Sequence, residues 1–243
     1  MRLIHAFSVA VALVAAGPVA RGAAVQAIQG MNMDDRVVPN GGIFVAGWQG
    51  KVDSQSAAQG RTINDSRFAS EGGGIHLTIG PAAVYWNPAN KAAGTYTVSA
   101  KFVEPNFAAD LKLNGHAHPY GLFIAGNNMG TDKETLIYCT AYGDGRSLVR
   151  GFSPTAPSGV FQVLRGTNPA VAKAAADGSV TQTIMWSVTD SKAECSINGT
   201  VVGTYAKAEI VAPAKLESLD GVYGIRISHN LEVIESGLTM KKQ

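Results

Sequence analysis

Between residues 94 and 102 apolar and polar positions alternate: Tyr96, Val98, Ala100 and Phe102 fall on one side, Thr95, Thr97, Ser99 and Lys101 on the other. Successive side chains of a strand point to opposite faces, so this pattern predicts a strand with one face in a core and one in water. Residues 180–189 repeat it, with Ile184, Trp186 and Val188 on one face and Thr181, Thr183, Ser187 and Thr189 on the other; Met185 is the exception. Trp186 lies on a wholly apolar face and is assigned to the core. Asn198-Gly199, between runs 194–197 and 200–205, is the pair a type I′ turn prefers, because both central residues need positive φ. Asp144-Gly145 separates 135–142 from 146–152 in the same way. Further runs at 75–79, 83–86, 120–125, 160–164, 222–228 and 232–240 bring the total to about a dozen short strands, which predicts a sandwich or barrel.

Helical signals are few. Asn168 can cap, Pro169 suits a first turn, residues 170–176 favour helix and Gly178 can end it, so one short helix is expected there. A further helical turn is allowed at 206–210, stopped by Pro213. Residues 27–40 read as an irregular lead-in, and no Pro- or Ser-rich linker follows residue 28. One domain spanning residues 28–243 is expected.

The first segment is of another kind. Arg2 and His5 precede an apolar run over 6–16, Gly17-Pro18 breaks it, and small residues follow at Gly22, Ala23, Ala24 and Ala27. That order predicts a secretory signal peptide over residues 1–24, with cleavage between 20 and 27. The run is too short for a membrane-spanning helix, so no stable membrane insertion is expected after its removal. No Cys lies near the cleavage region to carry a lipid, and a secreted or periplasmic location follows. Losing Arg2 and Arg21 leaves 18 Lys and Arg against 18 Asp and Glu. A formally neutral chain whose one basic doublet is Lys241-Lys242 lacks the stripe that neutralises phosphates, so nucleic acid is not an expected partner. Export would permit a disulfide between the two cysteines, Cys139 and Cys195; the alternative is two small buried side chains that never meet.

The late part of the chain carries a resemblance. Trp186-Ser-Val-Thr-Asp190, then Ala193-Glu-Cys-Ser-Ile-Asn198-Gly199 and Val201-Val202, resembles the late strands of concanavalin A-like lectin/glucanase sandwiches. Gly221-Val-Tyr-Gly-Ile-Arg226 with residues 231–238 resembles their closing pair, and Tyr120-Gly-Leu-Phe-Ile-Ala125 a strand of their concave face. Within that superfamily the nearest group is the 3-keto-disaccharide hydrolase-like domain of secreted bacterial proteins. The resemblance implies an all-β fold, an antiparallel two-sheet jelly-roll sandwich with one short helix, and a role with poly- or oligosaccharides. The glucanase branch's Glu-x-Asp-x-x-Glu is missing from this sequence, and the run Leu136-Ile-Tyr-Cys-Thr-Ala-Tyr142 has no carboxylate.

Candidate chemistry is sparse. Glycoside hydrolysis needs two facing carboxylates, and the acids here sit mostly beside Gly, Asn or Pro, as in solvated turns. His116 and His118, two apart, can share a strand face, but a metal needs further ligands, and His76 and His229 are far off in sequence. No metal site and no cofactor are assigned, and no loop has the regular oxygen spacing of a calcium site. The residues assigned to ligand are Tyr138 and Tyr142, on one strand face, Arg150 on the next strand with Arg146, and His116, His118 and Tyr120 at the rim. Flat aromatic rings pack on sugar faces, although they also fill sandwich cores. The sequence therefore predicts an exported, non-catalytic glycan-binding domain. The alternatives are a keto-sugar hydrolase or lyase working through His116, His118 and Asp144, and a structural or interaction module of the cell envelope.

Overall fold

The computed structural model describes residues 35–243; the expected signal peptide over residues 1–24 lies outside the described residues. Among these residues fifteen strands form two sheets. The eight-stranded sheet runs β1 (Gly42–Ile43), β3 (Arg67–Glu71), β4 (Gly74–Thr78), β15 (Glu232–Lys242), β6 (Tyr96–Glu104), β11 (Val180–Val188), β12 (Lys192–Ile197), β13 (Thr200–Ala206). The seven-stranded sheet runs β10 (Val160–Thr167), β9 (Arg146–Phe152), β8 (Thr135–Tyr142), β7 (Pro119–Asn127), β14 (Gly221–Ile227), β5 (Ala83–Ala92), β2 (Gln49–Val52). Pairing is antiparallel except where the two-residue β1 joins β3. This is a jelly-roll sandwich: the alternation and the turn spacing predict a sandwich or barrel, and the family resemblance implies the jelly roll.

The inward faces meet in one core. From the eight-stranded sheet come Phe68, Leu77, Val98, Phe102, Ile184 and Trp186; from the seven-stranded sheet come Tyr85, Tyr120, Leu122, Ile137 and Ile225, all at most 0% exposed. Trp186 Nε1 donates across the gap to the Leu122 carbonyl at 3.3 Å, which satisfies the one polar atom of that ring. A disulfide joins Cys139 on β8 to Cys195 on β12, with Cα atoms 6.2 Å apart, so it staples one sheet to the other.

Asn198 and Gly199 both take positive φ, 51° and 83°, as a type I′ turn requires. At the other hairpin only Gly145 does, at 92°. The helix expected over 169–176 does not form. Asn168 Oδ1 takes the Ala170 amide at 2.9 Å, the Gln182 amide group brackets Ala172 at 3.1 and 2.8 Å, and Asn198 Nδ2 donates to the Ala170 carbonyl at 2.9 Å. The side-chain amides of Gln182 and Asn198 have taken backbone groups of Ala170 and Ala172 that a helix would pair internally. Elsewhere among the described residues three short helices occur: α1 (Ser54–Ala58), α2 (Phe107–Asn114) and α3 (Lys207–Ile210), the last at the turn allowed near 206–210. In α2, Asn106 caps the start by accepting from the Ala109 amide, and Gly115 closes it at φ 74°. Among the described residues no helix is long and apolar enough to cross a membrane.

Candidate functional site

The outer face of the seven-stranded sheet carries the groups that can do chemistry. Pairing registers align its side chains in rows across the strands. One row reads Lys51, Val84, Arg226, Gly121, Thr140, Leu148, Arg165 from β2 to β10. The next reads Gln49, Trp86, Gly224, Phe123, Tyr138, Arg150, Val163. Tyr142 stands one step beyond Thr140 on the same face, opposite Pro119. Trp86, Phe123, Leu136, Tyr138, Tyr142 and Leu148 pack into a second apolar layer on this face, separate from the core between the sheets.

That layer is roofed by guanidinium groups. Arg146 and Arg165 sit 4.5 and 5.3 Å from the Tyr142 ring centroid, and Arg226 sits 5.3 Å from Tyr138 and 5.5 Å from Phe152. Each contact is a cation held over an aromatic face. The roof leaves Tyr138 only 2% and Tyr142 only 3% exposed. Burial raises both phenol pKa values, against the opposing effect of the neighbouring arginines, so both rings stay neutral.

Two of the arginines are themselves held. Asp53 takes Arg226 in a two-pronged pair, Nη1 to Oδ1 and Nη2 to Oδ2, the latter at 2.6 Å. Burial disfavours the Arg226 charge, but Asp53 outweighs it and the guanidinium pKa rises. Asp144 takes Arg146 through Nε at 3.0 and 2.8 Å and Nη2 at 2.6 Å. Among the described residues, Arg150 and Arg165 form no ion pair with a carboxylate. A cavity of about 460 Å³ opens beside Arg150 and Arg226, bounded by Lys51, Asp53, Phe152 and Glu134, with Gln55 at its margin.

Three histidines gather near the Tyr142 end of this face. The His118 ring lies 4.3 Å from His116 and 4.1 Å from His229. His118 Nδ1 meets Ser228 Oγ at 2.8 Å, while its Nε2 is buried with no partner among the described residues. Burial first, then His229, His116, Arg165 and Arg146, lowers His118 to about 3. His229 Nδ1 lies 3.1 Å from Asp35; burial lowers its pKa although Asp35 opposes that. His76 lies elsewhere, between Glu71 and Glu232 at 2.9 Å each. Among the described residues no group of three or more His, Cys, Asp or Glu has the geometry to hold a metal ion.

The sequence expectations divide by strand parity. Tyr138, Tyr142 and Arg150 do share one face, and His116 and His118 stand near its Tyr142 end. Tyr120 does not belong with them: it pairs with Ala141, whose side chain points inward, and it lies 0% exposed in the core. Burial and the nearby Glu104 and Asp110 raise its pKa. Glu104 and Asp110 form the facing carboxylate pair that scattered acids in sequence do not reveal, but they are 1% and 7% exposed. Burial raises both pKa values, that of Glu104 further through Asp110. Gly143 closes over the pair, since a Cβ there would lie 2.7 Å from Glu104 Oε2. Sequence reasoning also missed Arg165, Arg226, Asp53 and Lys51 as members of the face. For Arg226 a signal existed: it alternates out of phase with Ile225 and Ile227, a lone charge on an otherwise core-facing strand.

No protein-family model matches this sequence, and no curated protein is similar to it in sequence. Solved structures share its fold. A carbohydrate-binding module, CBM66, from Bacillus subtilis superposes with a TM-score of 0.53 at 7% identity, covering 82% of this chain and 99% of the module. A Bacillus subtilis protein described as of unknown function with a galectin-like fold gives 0.54 at 13% identity, covering 80% and 89%. A family 16 glycoside hydrolase from Bacteroides ovatus, solved with a glucan product, gives 0.54 at 9% identity, covering 83% and 98%. At these identities the likeness speaks for the fold alone, a two-sheet jelly-roll sandwich.

Proposed function

We propose that this chain is an exported, non-catalytic glycan-binding sandwich whose ligand lies across the outer face of the seven-stranded sheet. The observation that carries the reading is that face itself: an apolar layer roofed by arginines, beside a cavity of about 460 Å³ with polar and charged walls. Ligand sites gather a few convergent polar groups over an apolar floor. The absence of catalysis is supported by the state of the acids there. Asp53 and Asp144 are engaged by arginines and Glu134 lies 3.7 Å from Lys51, so none of the three is poised as a free acid or base. The enclosed Glu104–Asp110 pair is out of a polymer's reach. The fold, shared with a carbohydrate-binding module, agrees with this use. Export is supported by the signal-like first segment and by the disulfide, which an oxidising compartment sustains.

Screening the mature chain against a panel of immobilised polysaccharides tests the reading. Retention by at least one of them is expected, with retention lost in Gln55→Trp, which sets a large ring at the margin of the cavity. No retention on any polysaccharide would overturn it. The histidine cluster favours a second reading, a hydrolase or lyase in which His118, neutral and unpartnered at Nε2, accepts a proton. Turnover of a 3-keto-glycoside that disappears in His118→Gln, with the fold intact, would replace the first reading by this one.

A further inference from the structure

Resting on the glycan reading of this face, we infer that its ligand is an acidic glycan, one carrying uronate carboxylates along its chain, and that Arg150 and Arg165 receive them. In a face built for neutral sugar the rings of Tyr138 and Tyr142 would be open to stack on a pyranose. Here they are closed, at 2% and 3% exposure, and what a ligand meets is the guanidinium layer above them. The tyrosines serve as platforms for arginine rather than for sugar. Four of the seven arginines among residues 35–243 lie on this one face: Arg146, Arg150, Arg165 and Arg226. A guanidinium offers a planar fork of donors that matches a carboxylate, and stacking on a ring fixes the plane of that fork in advance.

The pairing of these arginines decides which of them a ligand can use. Asp53 and Asp144 already occupy Arg226 and Arg146. They neutralise the floor and hold it in place. Arg165 is exposed on the edge strand β10, Arg150 is half-buried at the cavity, and no carboxylate of the described chain pairs with either. They stand on neighbouring strands and in neighbouring rows, since Arg150 lies opposite Val163 and Arg165 opposite Leu148. Two spaced, unpaired cations among neutralised ones suit a polymer with separated carboxylates. A nucleic-acid strand would ask instead for a continuous basic stripe, and Asp53, Asp144, Asp132 and Glu134 interrupt any such stripe here.

The test is binding of the mature chain to oligogalacturonate, alginate and hyaluronate oligomers, each beside its counterpart with carboxyls reduced to alcohols. At least one acid form is expected to bind about tenfold or more tighter than its reduced counterpart, the scale of a lost charge-assisted contact. That preference should fade as ionic strength rises from about 0.1 M to about 1 M, where the screening length falls from about 10 Å to about 3 Å. Arg165→Gln, a surface change, should lose most of the preference, and Arg150→Gln with Arg165→Gln all of it, with an unchanged unfolding midpoint for the first. Equal or tighter binding of every reduced or neutral oligomer overturns this inference and leaves the glycan reading standing. Tighter binding of a single-stranded oligonucleotide of matched charge overturns it as well. Failure of every acidic and neutral glycan overturns both.

Discussion

The outer faces of the two sheets are made of different materials. On the eight-stranded sheet, Thr97, Ser99, Lys101, Thr181, Thr183 and Ser187 present hydroxyls and a charge to water, and the strands beneath them alternate cleanly between buried and accessible positions. On the seven-stranded sheet all eight residues of β8 are buried. Strands buried on both faces usually lie under helices. Here the second cover is a layer of arginine side chains over Tyr138, Tyr142 and Phe152. A sheet that needs only solubility is satisfied by threonine and serine. Holding three guanidiniums over an aromatic floor, two of them tied down by carboxylates, goes beyond that need, and this is why we propose that face as the one that meets a partner.

If this contrast is right, equivalent truncations on the two faces have unequal costs. Tyr138→Ala should destabilise by about 3–5 kcal/mol, the range for an aromatic removed from a packed layer. Thr181→Ala on the opposite face should stay within about 0.5 kcal/mol. Denaturant unfolding of both variants makes the comparison, and equal costs would break it. Replacing Cys139 and Cys195 by Ala tests what joins the faces: their bond closes a loop with a sequence separation of 56, and its loss should cost roughly 4 kcal/mol by the chain-entropy account. Next comes Asp53→Asn, which leaves Arg226 buried without its counter-charge. A loss of about 3 kcal/mol is expected, the low end for breaking a buried pair because Asp53 is partly exposed. A neutral result would show that the roof is not held as described.

The two sheets also differ in the sign of their response to pH. Glu235, on β15 of the eight-stranded sheet, is raised by burial from 4.5 to about 7. Between those values the folded state holds a proton the unfolded chain has released, so stability falls as pH rises through that window. His118, before β7 of the seven-stranded sheet, is lowered from 6.5 to about 3. There the unfolded chain takes the proton first, so stability falls as pH drops below about 6.5. At about 1.4 kcal/mol per pH unit the full effect is roughly 3 kcal/mol for Glu235 above its window and roughly 5 kcal/mol for His118 below its own. Stability measured across pH 4 to 8 should show a shallower upper slope in Glu235→Gln, with Glu104 and Asp110 still contributing, and a shallower lower slope in His118→Gln, with His229 still contributing; slopes unchanged by either substitution would contradict the account.

Most of the sandwich was legible because its cues are local. Alternation defines β6 and β11, and the run bounded by Asp144-Gly145 gives the limits of β8 and β9 residue for residue. What failed was set by distant groups. The expected helix over 169–176 lost its backbone bonds to Gln182 and Asn198, which no local pattern announces. Strands β1, β2 and β3 lie between the irregular lead-in at 27–40 and the first expected run at 75–79, where no strand is predicted, and α2 went unnoticed although Asn106 and Gly115 bracket it. In the site, Tyr138, Tyr142 and Arg150 were readable through strand parity. Tyr120 was misplaced because its face depends on a register with β8 that the sequence does not carry. Arg226, Arg165 and Asp53 come from three other strands or loops, and only the folded sheet lines them up.

The most direct test compares two double variants on whichever polysaccharide retains the unmodified chain. Arg150→Gln with Arg165→Gln removes the two unpaired cations of the seven-stranded sheet. Lys101→Gln with Lys192→Gln removes the same charge from the eight-stranded sheet. The account predicts that the first loses retention by about tenfold or more, the scale of one or more charge-assisted contacts, while the second is retained like the parent. Equal losses, or a larger loss in the second, would contradict the assignment of the binding face.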